Sequence, residues 1–277
     1  MEHLSHTAKP SAVGAMWRKF EPYVPAIARV DVRRYGQYIH SRHLKSSDSL
    51  LLSYPKSGST WVRDMLATLL AGHVIAADDL AVWSPPLHLC RQFGDGGGRI
   101  VRSHDRVGTP GFARAGKVLV LVRDPRALVV SWSFHRKRRG IETSVESATD
   151  ELLTDGFMSL GSWKAHIQHA VARSMQEDCM ILRYEDLIHS TSEALKATSV
   201  FLNIAASDEI YELAIEAARP SSLRSRRVAV GLERQGELIS DVRSAKSDGW
   251  LKDCPQSCQS RICDALEAEM AVLGYRT

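Results

Sequence analysis

The chain has 277 residues, of which 44% are hydrophobic and 25% are charged, and its formal net charge is +4. This is the composition of an ordinary globular protein, and the length fits one large α/β domain or two small ones. The basic excess is mild and lacks the dense stripe of a nucleic-acid binder, so we expect no nucleic acid partner.

The sequence lacks the marks of a membrane-spanning or secreted protein. No segment approaches the roughly 18 consecutive apolar residues of a transmembrane helix, and Met1–Pro10 has no apolar core of a secretion signal. The five cysteines are odd in number and loosely spaced, which does not predict a disulfide framework. We therefore expect a cytoplasmic protein, with peripheral membrane contact left open.

Residues 1–47 form a basic lead-in with little patterning. Four apolar residues in it have helical spacing, namely Trp17, Phe20, Val24 and Ile27. Pro22 and Pro25 interrupt this pattern. A membrane-surface helix that serves a lipid acceptor is one interpretation. The prolines favour the other, a segment packed on the core with a solvated basic face.

Alternating strands and helices follow from Ser49 onwards. Short apolar runs predict strands at residues 49–54, 100–103, 117–122 and 179–184. Helical spacing predicts helices at residues 59–71, 125–138, 159–176, 185–201, 207–217 and 256–273. This alternation predicts an α/β fold with a central parallel sheet flanked by helices. Without repeats or a clear linker, we expect a single domain over residues 48–277.

The segment from Tyr54 to Trp61 joins the first strand to its helix, where α/β proteins bind phosphates. Gly58 permits close backbone approach, Lys56 adds a mobile positive charge, and Trp61 offers a flat surface for a purine. Hydroxyl donors come from Ser57, Ser59 and Thr60. The order of lysine and glycine differs from a Walker A motif. An ordinary turn capped by Ser57 or Ser59 would explain only part of this set.

Tyr-Pro-Lys-Ser-Gly-Ser-Thr-Trp resembles the 5′-phosphosulfate loop of cytosolic-type sulfotransferases that use 3′-phosphoadenosine 5′-phosphosulfate (PAPS). In that family threonine is typical at the position of Ser59. The resemblance implies PAPS as co-substrate and 3′-phosphoadenosine 5′-phosphate (PAP) as product, with no metal and no covalent enzyme intermediate. It also implies a P-loop-like binding role for the whole loop, and a catalytic role for Lys56.

Arg102-Ser-His104 follows the second strand and resembles the family segment that ends in the catalytic histidine, where lysine is common in place of Arg102. Histidine suits a general base because its pKa lies near about 6.5. Outside this context, a surface or hydrogen-bonded histidine would be the simpler interpretation. We assign His104 as the base and Arg102 to the acceptor side.

The end of the third strand resembles the family's 3′-phosphate site. An arginine fork from Arg123 and the hydroxyl of Ser131 suit a terminal phosphate. Asp124 would at the same time cap the helix before Pro125.

Three later segments resemble family contacts with the nucleotide. Tyr184 begins a Tyr-Glu-Asp motif at the end of the fourth strand, where the family's tyrosine contacts the nucleotide. Ser222 and Leu223 lie in Pro220-Ser-Ser-Leu-Arg224, similar to a loop that touches the adenine. Arg243 keeps the spacing to Trp250 in a degraded motif whose lysine and glycine are replaced by Ser244 and Ala245. Gly161-Ser-Trp-Lys-Ala-His166 resembles a family segment to which we assign a packing role.

No sequence motif identifies the acceptor. Trp83, Phe93 and Trp132 indicate an apolar or aromatic lining. The basic run at residues 136–139 is a solvated helix end by the simplest interpretation, although it would also attract an anionic acceptor. We expect a small-molecule, lipid or carbohydrate acceptor, and the oligomeric state is not predicted.

Two other functions remain open at this point. The first is a P-loop-type kinase that uses ATP and Mg²⁺, with Asp124 as the metal-holding carboxylate. The second is a non-catalytic nucleotide-binding protein on the same fold, since fold does not fix function.

Overall fold

A parallel sheet forms the centre of the molecule. The computed structural model describes residues 36–93, 98–231 and 249–276, and within them it contains four strands in the order β2–β1–β3–β4. The strands are β1 (Ser49–Ser53), β2 (Ile100–Ser103), β3 (Lys117–Val122) and β4 (Cys179–Arg183). All three pairings are parallel. The predicted α/β class and parallel sheet are confirmed.

The strands are apolar on both faces because helices cover both. In the register, Leu50 is paired with Val101 on one side and with Val118 on the other. Leu50 belongs to one buried cluster and Leu51 to the other, on the opposite face. The carboxyl ends of the strands therefore meet at one edge, where α/β proteins bind their ligands.

Helices flank this sheet throughout the described ranges. In chain order they are α1 (Ser59–Ala71), α2 (Leu80–Trp83), α3 (Pro125–Arg138), α4 (Val145–Leu153), α5 (Trp163–Ser174), α6 (Tyr184–His189), α7 (Thr191–Phe201), α8 (Asp208–Ala217), α9 (Pro220–Ala229) and α10 (Gln256–Val272). Short 3₁₀ turns lie at Leu87–Leu89, Phe112–Arg114 and Phe157–Ser159. Residues 36–41 are also helical.

Several predicted helix boundaries are wrong, each for a local reason. The helix predicted at 159–176 begins only at Trp163, because the Ser162 hydroxyl accepts a hydrogen bond from the Ala165 N–H and caps it there. The helix predicted at 185–201 is divided by Ser190 into α6 and α7. The loop expected at Pro220–Arg224 is the start of α9, with proline in its first turn.

Several helices were not predicted, namely residues 36–41, α2, α4 and α9, and α4 is well defined by its own sequence. α4 begins at a capping box in which Ser144 and Ser147 each accept a hydrogen bond from the other's backbone N–H. Its buried residues Ala148 and Leu152 pack into the core. Both interpretations of the lead-in around Trp17 to Ile27, a packed segment or a surface helix, fall outside the described residues.

Two further properties concern membrane-spanning helices and the cysteines. In the part of the chain that the structure describes, no helix combines the length and hydropathy needed to cross a bilayer. All five cysteines lie within that part, and each is a free thiol.

Candidate active site

A cavity of about 400 Å³ opens at the carboxyl edge of the sheet. The loop after β1, the end of β2, the start of α3 and the start of α6 all contribute to it. Most of the predicted site residues line it together, namely Lys56, Gly58, Ser59, Thr60, Trp61, Arg102, His104, Arg123, Ser131, Trp132 and Tyr184. Segments far apart in sequence therefore converge on one site.

The loop after β1 presents unused N–H groups at the start of α1. Gly58 is the N-cap residue with φ of 98°, and among the described residues no side chain caps this helix end. The alternative of an ordinary turn capped by Ser57 or Ser59 is therefore wrong. Uncapped N–H groups and the helix dipole make such an end an anion site. Lys56 also has a positive φ, 73°, so the loop is tightly coiled around that end.

The Tyr184 ring leaves no room for a side chain at Gly58. A Cβ built there would lie 2.6 Å from Cδ2 and Cε2 of Tyr184. Trp61 meets the same ring edge-on, with 5.8 Å between the ring centroids. The first turn of α6 thus fixes the position of the loop.

We expect Gly58→Ala to lower both stability and affinity for PAP. The left-handed backbone costs a non-glycine residue about 1–3 kcal/mol, and the clash with Tyr184 displaces the loop. Gly72→Ala is the matched control, because Gly72 has φ of 70° and open space around it. Urea unfolding and calorimetric titration with PAP measure the two effects. Equal PAP affinity in both variants would contradict a role for this contact in the site.

Arg123 joins the loop to α6. Its Nη1 donates to the Lys56 carbonyl at 3.0 Å, and its guanidinium lies 4.3 Å from the centroid of the Tyr184 ring. Its Nε is buried and has no hydrogen-bond partner among the described residues. The arginine is thus held in place while keeping a donor for a ligand.

The turn that carries Arg123 is held by a carboxylate that the sequence analysis did not single out. Glu185 accepts a hydrogen bond from the Asp124 N–H at 3.0 Å and another from the Tyr275 hydroxyl at 2.8 Å. Burial raises the pKa of Glu185, although the Asp124 N–H opposes this. The Tyr-Glu-Asp segment therefore also has a positioning role.

His104 is oriented by a backbone carbonyl. Its Nδ1 lies 2.8 Å from the Ser53 carbonyl oxygen, which only accepts hydrogen bonds, so the proton of the neutral ring resides on Nδ1. The lone pair is then on Nε2, and Arg102 Nη1 donates to it at 2.6 Å. This tautomer gives His104 the form of a base, with Arg102 next to the basic atom.

A second histidine in the cavity was missed. His135 Nδ1 lies 3.4 Å from Lys56 Nζ, and its ring stacks on Trp132 with 5.5 Å between centroids. Its spacing of one helical turn from Ser131 is the signal that would have found it. Trp132 itself is buried and donates to Glu151 at 2.9 Å.

His166 has a different environment from the two cavity histidines. It is 1% exposed and packs edge-on against the Tyr54 ring. Burial lowers the pKa of His166 to about 4, so it is neutral at physiological pH. This fits the packing role predicted for its segment.

Asp124 is occupied by an arginine. Its carboxylate accepts hydrogen bonds from the backbone N–H, Nε and Nη2 of Arg126, the last at 2.8 Å. Asp124 caps α3 as predicted. The Arg126 guanidinium also lies 4.3 Å from the Trp250 ring centroid.

In the described part of the chain, the remaining predicted site residues do not line the cavity. Ser57 is buried beneath the loop, and Leu223 is buried in the first turn of α9. Trp83, Phe93 and Ser222 are half-buried outside the lining. Their roles stay predictions. Arg243, with Ser244 and Ala245, lies outside the described residues.

The fold and cavity define an α/β protein with an uncapped helix N-terminus at the carboxyl edge of its parallel sheet. Its residues 46–271 match the model of the sulfotransferase domain, and the chain belongs to that family. A 3-alpha-hydroxysteroid sulfotransferase of Cavia porcellus is 25% identical over 171 residues, which are 57% of this chain and 60% of that protein. The match thus spans less than two thirds of the length of such curated relatives.

Solved structures share the fold. Mouse sulfotransferase SULT7A1, complexed with PAP, superposes with a TM-score of 0.65 at 16% identity, covering 82% of this chain and 85% of that one. Retinol dehydratase, in a complex with retinol and PAP, gives a TM-score of 0.67 at 15% identity and covers 84% of each chain.

Proposed function

We propose that this protein transfers a sulfuryl group from PAPS to a hydroxyl or amine of a small-molecule, lipid or carbohydrate acceptor. One observation carries the proposal. The uncapped start of α1, the Arg123 guanidinium and the basic atom of His104 face a single cavity. Family membership and the PAP complexes of proteins with this fold support the same donor.

The residues present fit such a nucleotide. Gly58 packs directly on the Tyr184 ring, and among the described residues no side chain caps the start of α1, which leaves backbone N–H groups for an anion. Arg123 retains a buried Nε without a partner among the described residues, and Ser131 lines the same cavity. We assign the loop after β1 to the 5′-phosphosulfate, and Arg123 with Ser131 to the 3′-phosphate.

Each catalytic residue has a defined task. When bound, PAPS supplies the sulfuryl group: the acceptor oxygen bonds to sulfur as the bond from sulfur to the 5′-phosphate oxygen breaks, which releases PAP. His104 takes the acceptor proton on Nε2, since Nδ1 is held by Ser53. Lys56 and the N–H groups of α1 stabilise the charge that develops on the phosphate oxygen.

The kinase alternative gains no support from the structure. The Asp124 carboxylate, which would have to hold Mg²⁺, is paired with Arg126 at 2.8 Å. A turnover assay distinguishes a sulfotransferase from the non-catalytic alternative, because a non-catalytic protein would bind PAP without producing sulfated acceptor.

The test combines binding with turnover. We expect calorimetry to show at least tenfold tighter binding of PAP than of AMP, which lacks the 3′-phosphate. Incubation with labelled PAPS and a broad acceptor panel, read by mass spectrometry, should give a sulfated product. Equal affinity for PAP and AMP would overturn the nucleotide assignment. PAP binding without any product would favour the non-catalytic protein.

A further inference from the structure

Cationic side chains line the cavity well beyond the phosphosulfate loop. Among the described residues, six lysine and arginine side chains line it and no carboxylate does; they are Lys56, Arg63, Arg102, Arg123, Arg139 and Arg227. The proposed function assigns Lys56 and Arg123 to the nucleotide. The arginines outside that assignment are therefore candidates for contact with the acceptor.

Arg63 is the most buried member of this set. It is 8% exposed, its Nε donates to the Ser84 hydroxyl at 3.0 Å, and its Nη2 donates to the Ser84 carbonyl. Within the described residues, none of its hydrogen bonds uses Nη1. Burial, followed by the charge of Arg102, lowers the pKa of Arg63 to about 9. An unneutralised guanidinium in such a position is costly unless an anion accompanies it.

Asp64 opposes the lowering of the Arg63 pKa, but other guanidinium groups share this carboxylate. Asp64 is 2% exposed, and its Oδ2 accepts a hydrogen bond from Arg226 at 2.6 Å. Arg63 and Arg227 both act on the same carboxylate, and Arg227 also lowers the pKa of Arg63. One carboxylate thus faces several guanidinium groups.

The position of Arg102 puts this charge on the acceptor side. Its Nη1 lies 2.6 Å from His104 Nε2, the atom that an acceptor hydroxyl must approach. Arg63 lies close enough to Arg102 for the two charges to oppose each other. Leu80 of α2, the helix that ends just before Ser84, lines the same cavity.

We infer that Arg63, Arg102 and Arg227 form an anion-binding subsite, and that the acceptor bears a carboxylate or a phosphate beside the hydroxyl that is sulfated. Guanidinium forks suit both groups, because each offers two oxygens to a pair of N–H donors. The anion would draw Arg102 away from Nε2 and so expose the base. This inference rests on the proposed function, and names the class of its acceptor.

The test measures acceptor binding to protein saturated with PAP. The probes are 4-hydroxyphenylacetate and 4-hydroxyphenyl phosphate, with 4-hydroxyphenylacetamide as the neutral counterpart. We expect at least one anionic phenol to bind at least tenfold tighter than the amide in calorimetric titrations. The tighter of the two identifies whether the subsite takes a carboxylate or a phosphate.

Variants test whether the cluster of Arg63, Arg102 and Arg227 causes the preference for anionic phenols. Arg227→Gln should reduce it at least fivefold while PAP affinity stays within twofold. Arg219→Gln is the matched control, because Arg219 is exposed at the start of the same helix and outside the cavity. Arg102→Gln serves as a second variant if thermal unfolding shows that Arg227→Gln is misfolded.

The outcomes separate this inference from the proposed function. Failure of PAP itself to bind would overturn both. Normal PAP binding, with anionic probes that bind no tighter than the amide or do not bind at all, would overturn the inference alone. A preference that survives in folded Arg227→Gln and Arg102→Gln would overturn its assignment to this cluster.

Discussion

His104→Ala should lower kcat/KM by about 10²–10⁴-fold, the usual contribution of a positioned general base. The structure supports this expectation through the tautomer: the Ser53 carbonyl fixes the proton on Nδ1, which leaves the lone pair on Nε2 inside the cavity. PAP affinity should stay near that of the wild type, because the loop and Arg123 do not depend on the imidazole. Steady-state kinetics with labelled PAPS and PAP titrations measure the two quantities separately.

Two controls show whether the loss is chemical. His104→Gln keeps a polar side chain at the Ser53 carbonyl but has no basic atom, and should be nearly as inactive as the alanine variant. His169→Ala removes an exposed histidine of α5 and should retain full activity. A His104→Ala variant with more than a tenth of wild-type activity would remove His104 from the role of base.

Local sequence pattern was sufficient to predict the sheet and the turn between β1 and α1. β2 and β3 have the predicted bounds, and in β3 a continuous apolar run has few other stable conformations. The loop could be predicted because a left-handed backbone conformation favours glycine, and Gly58 does adopt a positive φ. Both features depend on residues that are adjacent in the chain.

Features made by tertiary contact were harder to predict. The pairing of Lys56 with His135 spans 79 positions, and no local pattern indicates it. The arginine cluster likewise combines residues of α1, β2 and α9, which share one cavity only because those elements meet in the fold. The supporting contact of Glu185 with the Asp124 N–H joins the start of α6 to the turn after β3, which are neighbours because β3 and β4 pair.

Arg123→Ala should weaken PAP binding by about tenfold to a hundredfold, since a hydrogen bond to a charged group contributes about 1.5–3 kcal/mol. The affinity for AMP should change much less, because the proposed partner of Arg123 is the 3′-phosphate that AMP lacks. Arg123→Lys keeps the charge but loses the planar contact with Tyr184 and the fork geometry, so an intermediate loss is expected. Arg219→Ala, which removes an exposed arginine, should leave both affinities unchanged.

The ratio of the two affinities is the informative quantity for Arg123. The side chain also donates to the Lys56 carbonyl, so its loss has a second possible effect through the phosphate loop. If Arg123 acts on the 3′-phosphate, the preference for PAP over AMP collapses while AMP still binds. If it acts only by supporting the loop, both nucleotides weaken by the same factor, since both carry a 5′-phosphate. An equal loss for PAP and AMP would therefore contradict the 3′-phosphate assignment and leave Arg123 as a positioning residue.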